Sequence, residues 1–470
     1  MPSRARTRAA ALVLLALASL APAALAQVPT RDQPFPLLVS PRRWGPLLVQ
    51  PQLVLESIGY EGNVYLTAPS EVSKQEPVSS FYARAGADLT GQIQFGPNVA
   101  LTLHDRAIGE LYSRSELSSL NHLDNQADAQ LDVLLGPTLL TMGWEYSSIQ
   151  DTPTYDSEDN RPDQQTRIRT NVPKVGLRLF LSPLWDVSAS TREVRTRYSN
   201  QERFYTVLVP ENGNPDVVLA APVLVDQALD RDRLAARGEL GWRPRGTMRF
   251  FLAYERFDID FNYDQLTGGE PGAEFDIRAP RDATGRRWLL GINFNPLARL
   301  SGTFEIGKAT VDPLDPNSGY QPFDGPVGVG TLTWRPTGAT RVTFSYERDV
   351  TVSIFENNLY YRSTARSLDL EYFFGRRWGV QGGFGRDRLA WPEESPHFIK
   401  DPSGTTIIGK GFDPGVRRED TIDNIYLGVM TRVVGDFQIG VRYGVRDRSS
   451  NDPFAEDRQP YFVMTGSLVY

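Results

Sequence analysis

Phe437, Ile439, Val441, Tyr443 and Val445 are interleaved with Gln438, Gly440, Arg442, Gly444 and Arg446. A period of two gives an extended segment one apolar and one wet face, and so predicts a strand. The pattern recurs along the chain. Val175, Leu177, Leu179 and Leu181 alternate with Lys174, Gly176, Arg178 and Phe180; Leu140, Met142, Trp144 and Tyr146 alternate with Thr141, Gly143 and Glu145. Phe81 to Leu89 sets Ala83, Ala85 and Ala87 against Tyr82, Arg84, Gly86 and Asp88. Met248, Phe250, Leu252 and Tyr254 oppose Arg249, Phe251, Ala253 and Glu255, and Trp288, Leu290, Ile292 and Phe294 oppose Arg287, Gly291 and Asn293.

Two kinds of connector join these strands. Short breaks fall at Gly96-Pro97, Gly136-Pro137, Ser182-Pro183, Arg243-Pro244-Arg245-Gly246, Asn295-Pro296, Pro336-Thr337-Gly338, Gly375-Arg376-Arg377 and Gly435-Asp436. Between the resulting hairpins lie polar segments, among them 147–167, 193–232, 257–284 and 386–417, which read as long loops. With a first strand near 47–58 and a last near 459–470, the count is about 18, and 16 also fits. The expectation is an all-β chain: a single transmembrane antiparallel β-barrel with short periplasmic turns and long extracellular loops.

Aromatic residues support a bilayer around that barrel. Trp144, Tyr146, Trp242, Trp288, Phe294, Trp334, Tyr372, Phe374 and Trp378 fall on the outward parity near strand ends, where an amphipathic ring meets headgroups. A soluble sandwich needs no such bands. Only a closed barrel crosses lipid with strands, because every edge must be paired there.

Composition narrows the function classes. The 470 residues contain no Cys, which excludes disulfides, thiolate metal sites and cysteine nucleophiles. Arg4, Arg6 and Arg8 precede an apolar stretch from Ala9 to Leu20, and Ala24-Leu25-Ala26 supplies a cleavage site. Residues 1–26 therefore read as a signal peptide, with Gln27 first in the mature chain. Formal net charge is −7 with those arginines and more negative without them, so no basic footprint for nucleic acid exists. Residues 27–46, with Pro29, Pro34, Pro36, Pro41 and Pro46, read as an extended periplasmic arm too short to plug an energised transporter, and 47–470 as the barrel.

Pro51-Gln52-Leu53-Val54-Leu55, then Gly59-Tyr60-Glu61-Gly62-Asn63-Val64-Tyr65, resemble the start of the β-barrel porin-2 type of Gram-negative outer-membrane protein. Gly241-Trp242-Arg243-Pro244 and Thr333-Trp334-Arg335-Pro336-Thr337 are similar to its turns. The resemblance implies an outer-membrane channel or structural barrel, in some members associated with extracellular polysaccharide systems, with no known catalytic residues to carry over.

The inward parity carries Arg84, His104, Arg106, Arg178, Arg192, Arg233, Arg237, Arg249, Arg287, Arg341, Arg442 and Arg446 against Asp88, Asp132, Glu145, Asp186, Glu239, Glu255, Glu305, Glu347, Asp369 and Glu371. These are the candidate lumen-lining residues. Opposite charges on neighbouring strands suit either a transverse field across water or a paired ladder. Inward glycines, including Gly86, Gly143, Gly176, Gly291, Gly379, Gly383, Gly440 and Gly444, point to an open lumen, as does the strand number. Apolar Val207, Leu208, Val209, Val217, Val218, Leu219 and Val223 make 193–232 either an inward constriction or a hairpin above the membrane.

Catalytic chemistry is sparse. Gly404 to Gly411 mimics a phosphate loop but has Gly411 where Ser or Thr would hold magnesium. His104, His122 and His397 are the only imidazole bases for a barrel hydrolase, with Glu110, Asp124 or Glu394 as conceivable partners. The acidic Asp151, Asp156, Glu158, Asp159 and Asp163 lack calcium-loop spacing. The leading expectation is a passive channel for small hydrophilic solutes, no enzyme, with no cofactor or metal. Its partners would be outer-membrane lipid, lipopolysaccharide and the barrel-assembly machinery. A structural barrel with polysaccharide-export partners is the alternative and a hydrolase the third.

Overall fold

The computed structural model describes residues 35, 38, 41–64, 77–150, 167–199, 204–211, 214–224, 230–245, 248–261, 281–294, 299–353, 358–375, 377–400, 407–434, 437–451 and 456–469. In chain order the strands are β1 (Arg42–Trp44), β2 (Leu47–Glu61), β3 (Ser80–Gln94), β4 (Val99–Tyr112), β5 (His122–Leu135), β6 (Thr138–Gln150), β7 (Arg167–Phe180) and β8 (Trp185–Ser199). Then come β9 (Phe204–Glu211), β10 (Asn214–Leu224), β11 (Arg231–Arg245), β12 (Met248–Phe261), β13 (Ala283–Phe294), β14 (Leu300–Pro313) and β15 (Phe323–Trp334). The last six are β16 (Thr340–Val352), β17 (Tyr360–Phe374), β18 (Trp378–Lys400), β19 (Ile407–Val434), β20 (Phe437–Ser450) and β21 (Asp457–Val469).

All but β1, β9 and β10 form a closed antiparallel barrel of 18 strands, each paired with its neighbour in sequence. Closure is made by β2, which pairs with β3 on one side and β21 on the other, Gln52 opposite Val469 and Glu61 opposite Tyr461. At about 4.8 Å between strands and a tilt near 40°, such a ring is about 35 Å across. The eight short connectors are the ones the Pro and Gly breaks predict. Gly136 and Gly375 take positive φ there (61° and 74°), which a side chain would resist.

Alternation sorts side chains between two surroundings. On β12, Phe250, Leu252 and Tyr254 are exposed on the outside, while Arg249, Phe251, Ala253 and Glu255 between them are at most 3% exposed. Leu290, Ile306, Leu368, Ile425 and Leu427 continue the apolar outer band around the wall. Trp185, Trp242, Trp334, Phe374 and Trp378 cluster on it at the short-turn end, Trp242 stacked between Trp185 and Phe250. Trp144 and Trp288 stand further up their strands than the strand-end expectation put them, Trp288 packed against Tyr254.

Three stretches depart from expectation. The supposed loop 386–417 is largely strand, because β18 runs to Lys400 and β19 begins at Ile407; Ile407 to Gly411 of the phosphate-loop mimic thus lie in a strand. The 193–232 stretch contributes the ends of β8 and β11, with β9 and β10 paired only to each other in a separate hairpin that also runs against β19. Residues 42–44 of the Pro-rich arm turn at Gly45 and pair with Leu47–Val49. Residues 151–166 and 262–280, including the acidic cluster from Asp151 to Asp163, lie outside the described residues, as do the side chains of β9 and β10.

Candidate functional site in the barrel interior

Side chains two or three strands apart converge only on the concave face of a closed sheet, and the ion pairs locate that face. Arg237 of β11 reaches Glu305 of β14 at 3.1 Å, and Arg84 of β3 reaches Asp124 of β5 at 3.4 Å. Register then carries the same parity around the wall.

One network spans β7 to β14. Asp186, 1% exposed, accepts Arg249 Nη2 at 2.7 Å, Arg243 Nη2 at 3.2 Å and Arg178 Nη1 at 3.3 Å. Arg249 also donates to Glu239 at 3.0 Å, Glu239 accepts Arg237 Nε at 2.9 Å, and Arg237 continues to Glu305. Nearby, Glu255 accepts Arg233 at 2.9 Å with Arg192 at 3.9 Å, and Arg287 pairs with Asp349 of β16 at 2.8 Å. The guanidiniums lie on rings: Arg233 is 4.2 Å from the centre of Phe257, and Arg249 5.1 Å from that of Phe251. Those phenylalanines belong to a buried apolar cluster with Ile259, Leu289 and Val311 on the inward parity.

Inward glycine has another meaning than openness. A Cβ at Gly291 would strike the Phe251 ring, one at Gly285 the Phe257 ring, and one at Gly444 the Tyr461 ring. These glycines let aromatic rings lie flat on the wall. For Gly291, Gly383 and Gly444, each set against a ring, the reading of inward glycine as empty lumen is therefore corrected, whereas Gly176 meets only ordinary contacts.

A second network, on β2 to β5, is rich in carboxylates. Glu56 accepts Arg106 Nη2 at 2.8 Å and forms an ion pair with Arg84, whose Nε lies 2.9 Å away; Arg84 also meets Glu110 at 3.2 Å. Glu56 was not among the expected residues. It is an extra residue in β2, a bulge that shifts the pairing between Leu55 and Ser57, and bulges re-aim side chains. The signal was a break in parity: Leu53 and Leu55 are outward on odd numbers, Ile58 and Tyr60 on even ones. Asp88 meets His104 Nε2 at 3.1 Å, and Asp128 meets His104 Nδ1 at 2.9 Å.

The remaining expected residues sit on the β16–β21 wall. Arg341 pairs with Glu371 at 3.1 Å. Asp369 accepts the Tyr426 hydroxyl at 2.6 Å, Arg442 lies 5.3 Å from the centre of that ring, and Arg446 faces Asp457 at 3.6 Å. Glu347 has no described cation within ion-pair distance. Toward the long-loop end, Asp420 is enclosed by Arg418, Arg448 and Ser450 beside buried Trp391, Tyr361 and Leu389.

Charge is unevenly divided around the ring. Inward positions of β2–β6 hold Glu56, Glu61, Asp88, Glu110, Asp124, Asp128, Asp132 and Glu145 against Arg84 and Arg106, with two histidines. Those of β7–β14 hold Lys174, Arg178, Arg192, Arg231, Arg233, Arg237, Arg243, Arg249 and Arg287 against Asp186, Glu239, Glu255 and Glu305. Local pairing and a net transverse separation thus coexist.

The imidazoles offer little to a nucleophile. Both ring nitrogens of His104 face carboxylates. His122 has Nδ1 at Leu120 O (2.7 Å) and Nε2 toward Asp124 (3.5 Å) and Glu110 (3.9 Å). A general base needs a ring nitrogen aimed at the hydroxyl it activates. The His397 side chain lies outside the described residues. Among the described residues, no cluster of three His, Asp or Glu side chains could hold a metal.

No protein-family model matches the chain, and neither does any curated protein sequence. Among solved structures, the chain is similar to Acinetobacter baumannii OccAB3 at 10% identity and TM-score 0.43, covering 90% of this chain and 99% of that one. It is similar to Pseudomonas aeruginosa OpdO at 13% identity and TM-score 0.41, covering 90% and 97%. It is also similar to CdiB from A. baumannii at 10% identity and TM-score 0.39, covering 91% of this chain and spanning 61% of CdiB. These are likenesses of outline, and the barrel stands on its own strand pairing.

Proposed function

We propose that the chain is an outer-membrane barrel through which small hydrophilic solutes pass passively. One observation carries the reading. Arg192, Arg341, Glu145, Glu371 and Lys174 point into a closed barrel yet keep 51%, 50%, 48%, 32% and 31% of their side-chain surface accessible. Charged groups with that much free surface need water beside them, and a ring of 16–18 strands is wide enough to hold it. The exposed apolar band with its tryptophans at the short-turn end supplies the surface a bilayer would cover.

The acidic β2–β6 sector and the basic β7–β14 sector set a field across the water rather than along it. Such a field favours neutral, dipolar or zwitterionic solutes over either ion sign. Export by the 1–26 signal, insertion by the barrel-assembly machinery and membership of the porin-2 type complete this reading. In planar bilayers the purified barrel should give ohmic steps with weak ion selectivity. A folded barrel that never conducts would overturn it.

A second reading, a structural barrel of a polysaccharide-export system, is favoured by the closely packed wall at Asp186, Arg249 and Phe251. It predicts a silent barrel that co-purifies with export partners.

A further inference from the structure

On the outside of the wall, Arg348 of β16, Arg362 and Arg366 of β17, and Arg386 and Arg388 of β18 line one cleft of ≈ 560 Å³. Register brings them together. Arg366 stands directly opposite Arg386, and Thr364 lies between Arg348 on one side and Arg388 on the other. Like charges facing across a strand pair repel. Two of the five are neutralised by β19, Arg386 by Asp423 at 2.7 Å and Arg388 by Glu419 at 2.6 Å. No described carboxylate lies within ion-pair distance of Arg348, Arg362 or Arg366. Several other outward cations do have a carboxylate partner, Lys308 with Asp324, Arg195 with Glu193 and Arg197 with Asp232, whereas Arg256 and Arg286, opposite one another on β12 and β13, form a smaller pair without one among the described residues.

Height along the barrel identifies what could supply the missing anions. Arg366 and Arg362 stand eight and twelve residues above Phe374, the last residue of β17. At about 3.3 Å per residue and a tilt near 40°, that is about 20 and 30 Å above the short-turn end. The apolar band of such a barrel is about 25 Å tall, so the arginines straddle its upper edge. Directly below them, Leu368, Leu370, Phe384 and Leu427 are exposed. The ligand that matches is amphipathic, with anionic oxygens above and hydrocarbon below. Guanidinium forks bind phosphate through paired hydrogen bonds, and three forks without a described carboxylate partner suit a headgroup with more than one phosphate.

We infer that this cleft binds the phosphorylated headgroup of the outer-leaflet glycolipid, lipopolysaccharide, with its acyl chains on the apolar strip beneath. The site rests on the outer-membrane reading above and adds a defined lipid contact to it. The ligand neutralises three arginines that no described carboxylate reaches and fixes one sector of the wall in the leaflet.

The test uses the folded full barrel in neutral detergent, with binding followed by native mass spectrometry. The probes are bis-phosphorylated lipid A, the same lipid stripped of phosphate, and inorganic phosphate. The R348Q/R362Q/R366Q variant should bind bis-phosphorylated lipid at least about tenfold more weakly, R195Q should bind it as wild type does, and the stripped lipid should bind poorly to both. Equal binding by the triple variant, or equal binding of the stripped lipid, overturns the site. Displacement by equimolar inorganic phosphate also overturns it, by marking a free-anion site. If the triple variant does not fold, R362Q alone takes its place. Single-channel recordings on the same preparations separate the two readings: a barrel that binds lipid but never conducts overturns only the channel, and one that conducts but ignores lipid overturns only this site.

Discussion

Asp186 and Arg249 lie 63 residues apart in sequence, and Arg249 grips the Asp186 carboxylate from both Nε (3.1 Å) and Nη2 (2.7 Å), with both residues almost fully buried. Arg178 and Arg243 share the same carboxylate. Removing it leaves three guanidiniums without their common anion. Asp186→Asn should therefore cost about 3–5 kcal/mol, whereas Lys308→Gln, at an exposed outer pair, should cost about 0–1 kcal/mol. The urea midpoint for loss of the heat-resistant folded band measures both; equal midpoints would show that the network contributes nothing.

Deleting Glu56 and neutralising it should differ in kind. Deletion removes the bulge and forces either Leu53 and Leu55 or Ile58 and Tyr60 onto the wrong face, so the barrel should fail to close. Glu56→Gln keeps the bulge but removes the carboxylate that Arg106 meets and leaves Arg84 with Glu110 and Asp124 alone, and should raise anion permeability in reversal-potential measurements. A fully folded deletion variant would refute the parity argument.

Gly291→Ala sets a methyl against the Phe251 ring and should destabilise the barrel by about 1–3 kcal/mol. Gly238→Ala, where no atom lies within 4 Å of the new methyl, should be neutral. Adding Phe251→Leu to Gly291→Ala should recover part of the loss. If it recovers none, the ring is not what demands glycine.

Reversing the accessible cations on the basic sector should change permeation without unfolding the wall. K174E/R192E should shift reversal potentials toward cations and lower the flux of anionic solutes at least about twofold, most strongly at low salt. Unchanged selectivity would mean that these side chains do not line the path.

The strand count, the short turns and the outward band were all legible, because a period of two and a Pro or Gly break are local properties of neighbouring residues. Extension of β18 to Lys400 and of β19 from Ile407 was not. Its polar composition reads as loop, yet two polar strands beyond the apolar band pair with each other and need no apolar face. The interior was legible only as a parity. His104 was legible as an inward residue and one of three imidazoles, but its sandwiching between Asp88 and Asp128 depends on β3, β4 and β5 being adjacent. Glu110 and Asp124 were noted only as partners for a base, yet both face Arg84. Glu56 went unread because an extra residue in β2 interrupts the alternation that the rest of the wall obeys.

By itself, the order of residues determined that the chain alternates between two solvents, how often it turns and which parity carries charge. Each of those follows from a residue and its neighbours one or two places away. Which arginine meets which carboxylate, which glycine lies under a ring, and the trio Arg348, Arg362 and Arg366 that no described carboxylate reaches were decided only by strand register and closure. Curvature brings together side chains from strands tens of residues apart, and no local pattern records that distance.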